Sequence, residues 1–148
     1  MIIGIDLQVP FGEGGGLLLF HTFGSQEERR KFGGSCFTEI QYCRLPENTQ
    51  LEKIISVKAI TDWKNDSLYI YGDDMADFYA KYGPIITGGT YNNLEQGPVD
   101  LYGINFFTQK QASQIIERIE AEMPPEYQVL RDWLNAGKQF IGFYVLGV

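Results

Sequence analysis

The stretch FIGFYVLGV, from Phe140 to Val148, constrains the fold more than any other part of the chain. Every residue of it except Gly142 and Gly147 carries an aliphatic or aromatic side chain, and no charged or amide residue interrupts the run. A strand of this kind cannot leave one face in water, because alternate side chains point to opposite sides. It predicts a strand at the centre of a sheet with both faces covered. Something must supply that cover, and the residues before it do. Thr108-Gln109-Lys110-Gln111 has the form of a capping box. The helix it starts carries Ala112, Ile115, Ile116, Ile119 and Met123 on one stripe and charges on the other. Pro124-Pro125 breaks that helix and opens another, with Val129, Leu130, Trp133 and Leu134 as its inner side and Gly137 as its stop.

Upstream, the patterns are those of strands. IIGIDLQV, 2–9, alternates apolar and polar residues, and PFGEGGG follows as a loop. LLLFHTF at 17–23, CFTEIQYC at 36–43, KIISVKAITDW at about 53–62 and LYIY at 68–71 read as further strands, with 53–71 forming a hairpin. Ser25-Gln26-Glu27-Glu28 fits either a short helix over about 26–31, ended by Gly33-Gly34, or a charged loop. VDLYGINFF at 99–107 is another strand, and 84–98 is a long loop with extended pieces. The last strand follows a helix, which allows a parallel neighbour. The expectation is one α+β domain over residues 1–148, with a mixed, mainly antiparallel sheet of about six or seven strands and about three clear helices.

The segment YGDDMADFY, 71–79, could be read as the acidic metal-binding turn of a template-copying polymerase. That turn needs strand on both sides of the acidic pair. Here the apolar residues switch to helical spacing, at Met75, Phe78, Tyr79 and Tyr82. Asp73 or Asp74 is then expected to cap a helix that Gly83-Pro84 ends.

Composition narrows the function classes. The net charge is −7, with 12 Lys and Arg against 19 Asp and Glu. This disfavours direct nucleic-acid binding and docking on anionic membranes, and it suits a basic protein partner. No apolar run approaches the roughly 20 residues a membrane helix needs. The N-terminus lacks the basic lead of a secretory signal. Cys36 and Cys43 lie an odd number of residues apart, on opposite faces if they share a strand, and read as reduced thiols of a cytoplasmic protein.

Catalytic constellations are sparse. His21 is the only His, and a pairing with Cys36, oriented by Asp6, is not demanded by any spacing. Gly12 to Gly16 lacks the ending of a phosphate loop. No metal site, cofactor or catalytic residue is assigned. Carboxylates at Asp73, Asp74 and Asp77, with Asp62 and Asp66 flanking the preceding turn, read as an acidic patch interleaved with tyrosines. Tyr91, Asn92 and Glu95, set among glycines, have the composition of a recognition loop. The expected partner-binding residues are therefore Asp73, Asp74, Asp77, Tyr91, Asn92 and Glu95.

The order GPVDLYGINFF, capped amphipathic helix, Trp-Leu helix and terminal GFYVLG strand resembles small acidic immunity proteins of bacterial polymorphic-toxin and contact-dependent inhibition systems, over residues 98–148. The resemblance implies a non-enzymatic, cytoplasmic inhibitor that occludes the active site or substrate path of one cognate toxin domain. It carries over no binding residues. The acidic balance fits a basic partner such as a toxin nuclease domain. The competing readings are a small metal-dependent hydrolase using the clustered carboxylates, and a small-ligand module with its pocket under 84–98.

Overall fold

The structure is a computed structural model that describes residues 18–33, 37–56 and 65–147. Six strands form one antiparallel sheet. In chain order the elements are α1 (Gln26–Gly33), β1 (Phe37–Cys43), α2 (Leu51–Ile54), β2 (Leu68–Tyr71), a 3-10 turn (Gly72–Asp74), α3 (Met75–Tyr82), β3 (Thr87–Thr90), β4 (Gln96–Pro98), β5 (Ile104–Thr108), α4 (Gln109–Glu122), α5 (Tyr127–Ala136) and β6 (Gly142–Leu146). Across the sheet the order is β2-β1-β6-β5-β3-β4. The α+β class expected from the sequence is the one observed.

The apolar terminal strand sits inside the sheet. β6 pairs with β1, Tyr42 opposite Phe143, and with β5, Phe107 opposite Phe143. Both pairings are antiparallel, so the parallel neighbour allowed by the sequence does not occur. Phe143 and Val145 enter the larger core with Ile40, Phe107, Ile119 and Leu134. Tyr144, on the other face, packs with Cys43, Ile54, Ile55 and Phe106. The Phe107 and Phe143 rings stack at 4.9 Å, and Trp133 lies flat on Tyr42 at 3.8 Å. Both faces of β6 are thus dry, as its composition requires.

Helix starts follow the local chemistry. Thr108 Oγ1 accepts the Gln111 amide at 3.2 Å, and Gln111 Oε1 accepts the Thr108 amide at 2.8 Å, which completes a capping box for α4. Ser25 Oγ accepts the Glu28 amide at 3.0 Å and starts α1. α3 differs from expectation. Asp74 occupies its N-cap, but no side chain caps there, because the 3-10 turn feeds the helix and Met75 donates to the Gly72 carbonyl.

Four other expectations are corrected. Residues 51–54 are helical, so the strand expected from 53 does not begin there. Ile54 and Ile55 are both buried, and consecutive burial on one side is incompatible with strand alternation. Residues 18–23 form no regular strand. They make a single bridge, His21 with Tyr69, at the outer edge of β2. The strand expected over 99–107 begins only at Ile104, after a turn. Val129 and Met123, expected on inner stripes, are 40% and 60% exposed, because they lie at the ends of their helices beside the Pro124-Pro125 corner. Residues 2–9, 12–16, Cys36 and Asp62 fall outside the described residues. Among those described, no helix is long and apolar enough to cross a membrane.

Candidate interaction surface

The segment 84–98, expected as a long loop, folds as the β3–β4 hairpin at one edge of the sheet. Its turn is closed by the Leu94 amide on the Tyr91 carbonyl, 3.0 Å, and the Tyr91 amide on the Glu95 carbonyl, 2.8 Å. Asn93 Oδ1 accepts the Glu95 amide at 2.9 Å, the side-chain turn for which Asn is suited. Leu94 adopts φ 72°, a left-handed conformation usual for Gly or Asn, and its side chain is 48% exposed. Asn92 is exposed at the tip.

Tyr91 ties the hairpin to its own far end. Its hydroxyl donates to the Pro98 carbonyl. The ring crosses β4 at Gly97, where a Cβ would come within 2.5 Å of the Tyr91 oxygen, so glycine is what lets the ring lie there. Partial burial, and then Asp100, Tyr79 and Glu95 nearby, push the Tyr91 hydroxyl above its ordinary range, so it is a neutral phenol at pH 7. Tyr79 reaches this neighbourhood from the outer side of α3.

The turn after β4 is fixed from inside. Asn105 is fully buried. Its Oδ1 accepts the Asp100 amide at 2.7 Å, and its Nδ2 donates to the Asp100 and Val145 carbonyls, each at 2.9 Å. Asp100 Oδ1 in turn accepts the Tyr102 amide at 2.9 Å. A buried amide anchored on β6 thereby holds a turn that displays Tyr102, 77% exposed. Four tyrosines in or next to the YGDDMADFY segment divide differently. Tyr69 and Tyr82 are core, Tyr71 is half-buried, and only Tyr79 is turned outward.

The six residues expected to bind a partner do not form one group. Tyr91 and Glu95 meet on the hairpin, with Asp100 and Tyr79 near the Tyr91 hydroxyl, and Asn92 lies at its tip. Asp77 is ion-paired with Lys81 at 2.8 Å. Two positions separate Asp77 from Tyr79, roughly 200° around a helix, so they occupy different flanks of α3. Asp74 lies instead near His21 and Glu126. Asp73 is exposed in the 3-10 turn. Asp100, Asn105 and Tyr102 were missed as site residues. Only their position in a turn-rich stretch signals them in sequence, and the Asn105 contact to Val145 spans 40 residues.

The region around His21 is distinct. Burial lowers the His21 pKa, and Asp74 and the Leu18 backbone oppose that shift. His21 lines a shallow depression of about 470 Å³ with Thr22, Phe23, Glu28 and Lys31. Among the described residues, no three His, Cys, Asp or Glu side chains gather in a way that could hold a metal ion. Comparison of the chain with family models, curated proteins and solved structures gives no match.

Proposed function

We propose that this protein is a non-enzymatic, immunity-type inhibitor, working in the cytoplasm, that binds a basic toxin domain and blocks its active site or substrate path. The observation that carries the reading is that the hairpin and the turn after it leave Leu94, Glu95, Asp100 and Tyr102 exposed, with Tyr79 exposed on α3. Aromatic rings rimmed by charge are the composition of interface hot spots. The surface stands on a braced turn and a short hairpin, so little freedom is lost on docking. The net charge of −7 adds a long-range attraction for a basic partner.

The partner of this reading is a basic toxin domain encoded beside the protein. The test is association with that purified domain at low and high salt. The reading predicts nanomolar binding, an on-rate that falls as salt rises, and loss of affinity in Tyr102→Ala. Binding that is indifferent to salt and to Tyr102 counts against it.

A further inference from the structure

Hydrophobic burial stops at the base of the β3–β4 hairpin. Ile85 and Ile86, just before it, and Val99, just after it, belong to the larger core. Between Thr87 and Pro98 the apolar side chains are those of Tyr91, Leu94 and Pro98, and none of them is buried. A segment that buries no apolar side chain gains little from leaving water, and such segments open at a lower free energy than the core.

The ladder beside the hairpin is thin as well. β5 and β6 pair from Ile104 opposite Leu146 to Thr108 opposite Gly142, whereas β3 meets β5 at Thr90 opposite Phe106. The Tyr91 amide faces β4, where it bonds to the Glu95 carbonyl, so by alternation the Thr90 amide faces β5. At its base β3 shifts register between Thr87 and Gly89. Gly88, between them, has φ 87°, a bulge that glycine forms without strain. Gly89 lies so close to the Phe107 ring that a Cβ would come within 2.7 Å of it.

One side chain spans this bulge. Gln111 Nε2, in the first turn of α4, donates to the Gly88 carbonyl at 2.8 Å. The other end of the same amide is fixed, since Oε1 accepts the Thr108 amide in the capping box. The start of α4 thereby aims a donor at the base of the hairpin.

We propose that residues 87–98 form a hinged flap, whether or not a partner docks on it. The flap turns about the Gly88 bulge and Val99 while β1, β6 and β5 stay paired, and the Gln111 amide is the catch that holds it shut.

The test is native-state hydrogen exchange of the full chain, followed by NMR at low urea concentrations. After allowance for intrinsic rates, the Thr90 amide is expected to exchange about ten-fold faster or more than those of Phe143 and Val145 in β6. Its exchange should also depend less on urea, because the flap exposes less surface than global unfolding. Gln111→Glu keeps an oxygen for the Thr108 amide, as Glu does in a capping box, but its carboxylate cannot donate to Gly88. It should speed Thr90 exchange about five-fold or more and leave the β6 amides unchanged. Gly89→Ala, whose added Cβ meets the Phe107 ring, should do the same from the other side of the hinge. Thr90 exchange that matches β6 in rate and urea dependence overturns the flap. Thr90 exchange unchanged in Gln111→Glu, or a rise shared equally by β6, overturns the catch.

Discussion

Single side chains decide how the hairpin and the core hold their shapes. Leu94 sits in a left-handed conformation that costs an L-residue about 1–2 kcal/mol relative to the ordinary helical region. Glycine escapes that cost but gives up part of the gain through a more flexible unfolded chain. Leu94→Gly should therefore raise stability by about 0.5–1 kcal/mol in urea denaturation. A loss of stability would mean that the Leu94 side chain packs more than its exposure indicates. Gly137 presents the opposite case. Its φ of −101° is open to any residue, yet an added Cβ would run into the Tyr42 ring, which Trp133 of the same helix already holds by stacking. Gly137→Ala should cost about 1–3 kcal/mol, the range for overpacking a filled core. A melting temperature equal to that of the parent would contradict the packing described.

At the scale of elements, one local cap and one long-range contact can be tested. The capping box of α4 makes Thr108→Ala worth about 1 kcal/mol of lost stability, and Thr108→Ser should recover most of it. Equal stability of Thr108→Ala and the parent would mean that water replaces the cap. Glu126, after the Pro124-Pro125 corner, accepts the Leu19 and Phe20 amides at 2.6 and 3.2 Å and anchors segment 18–23. Burial raises its pKa from 4.5, the two amide hydrogen bonds oppose the rise, and Asp74 adds to it. The folded state therefore holds the Glu126 proton more tightly than the unfolded chain does. The contribution is full below the unfolded pKa and is lost as pH rises through the folded one. Glu126→Gln removes this dependence. Parent stability relative to the variant should fall as pH rises above the ordinary glutamate range, measured by urea denaturation at each pH. A relative gain as pH rises would reverse the sign of the shift.

The same elements show what a sequence reveals. α4, α5 and β6 were legible because burial alone sets their periodicity, and the capping box is local. Residues 51–54 were misread because a run of β-branched residues follows them, while packing of Ile54 and Ile55 under Tyr144 decided the matter. The site was half legible. Tyr91 and Glu95 declared themselves through loop composition. Asp77 was grouped with them by nearness in sequence, which a helix undoes within two residues. Asn105 was invisible because its role exists only once β5 lies beside β6.

For the whole molecule, charge and topology act together. The sheet's other edge strand, β2, is bridged by His21, and β4 is short and ends in Pro98, so neither edge invites open pairing. What the β4 edge offers instead is side chains, in a net field of −7. In the proposed function, binding belongs to that edge, and Asp73, Asp74 and Asp77 add to the field without touching the partner. Asp73→Asn, on the 3-10 turn, should slow association slightly and leave the dissociation rate unchanged, because it alters steering alone. A faster dissociation would bring the turn into the contact area.

The most direct measurement is a stopped-flow comparison of two variants against the proposed partner, a basic toxin domain encoded beside this protein. Glu95→Gln on the hairpin and Asp77→Asn on α3 change the net charge equally. The account predicts that Glu95→Gln speeds dissociation by about ten-fold, the effect of losing a contact worth about 1.4 kcal/mol, while Asp77→Asn leaves it unchanged. Equal effects of the two, or a larger effect at Asp77, would contradict the hairpin as the surface through which this protein acts.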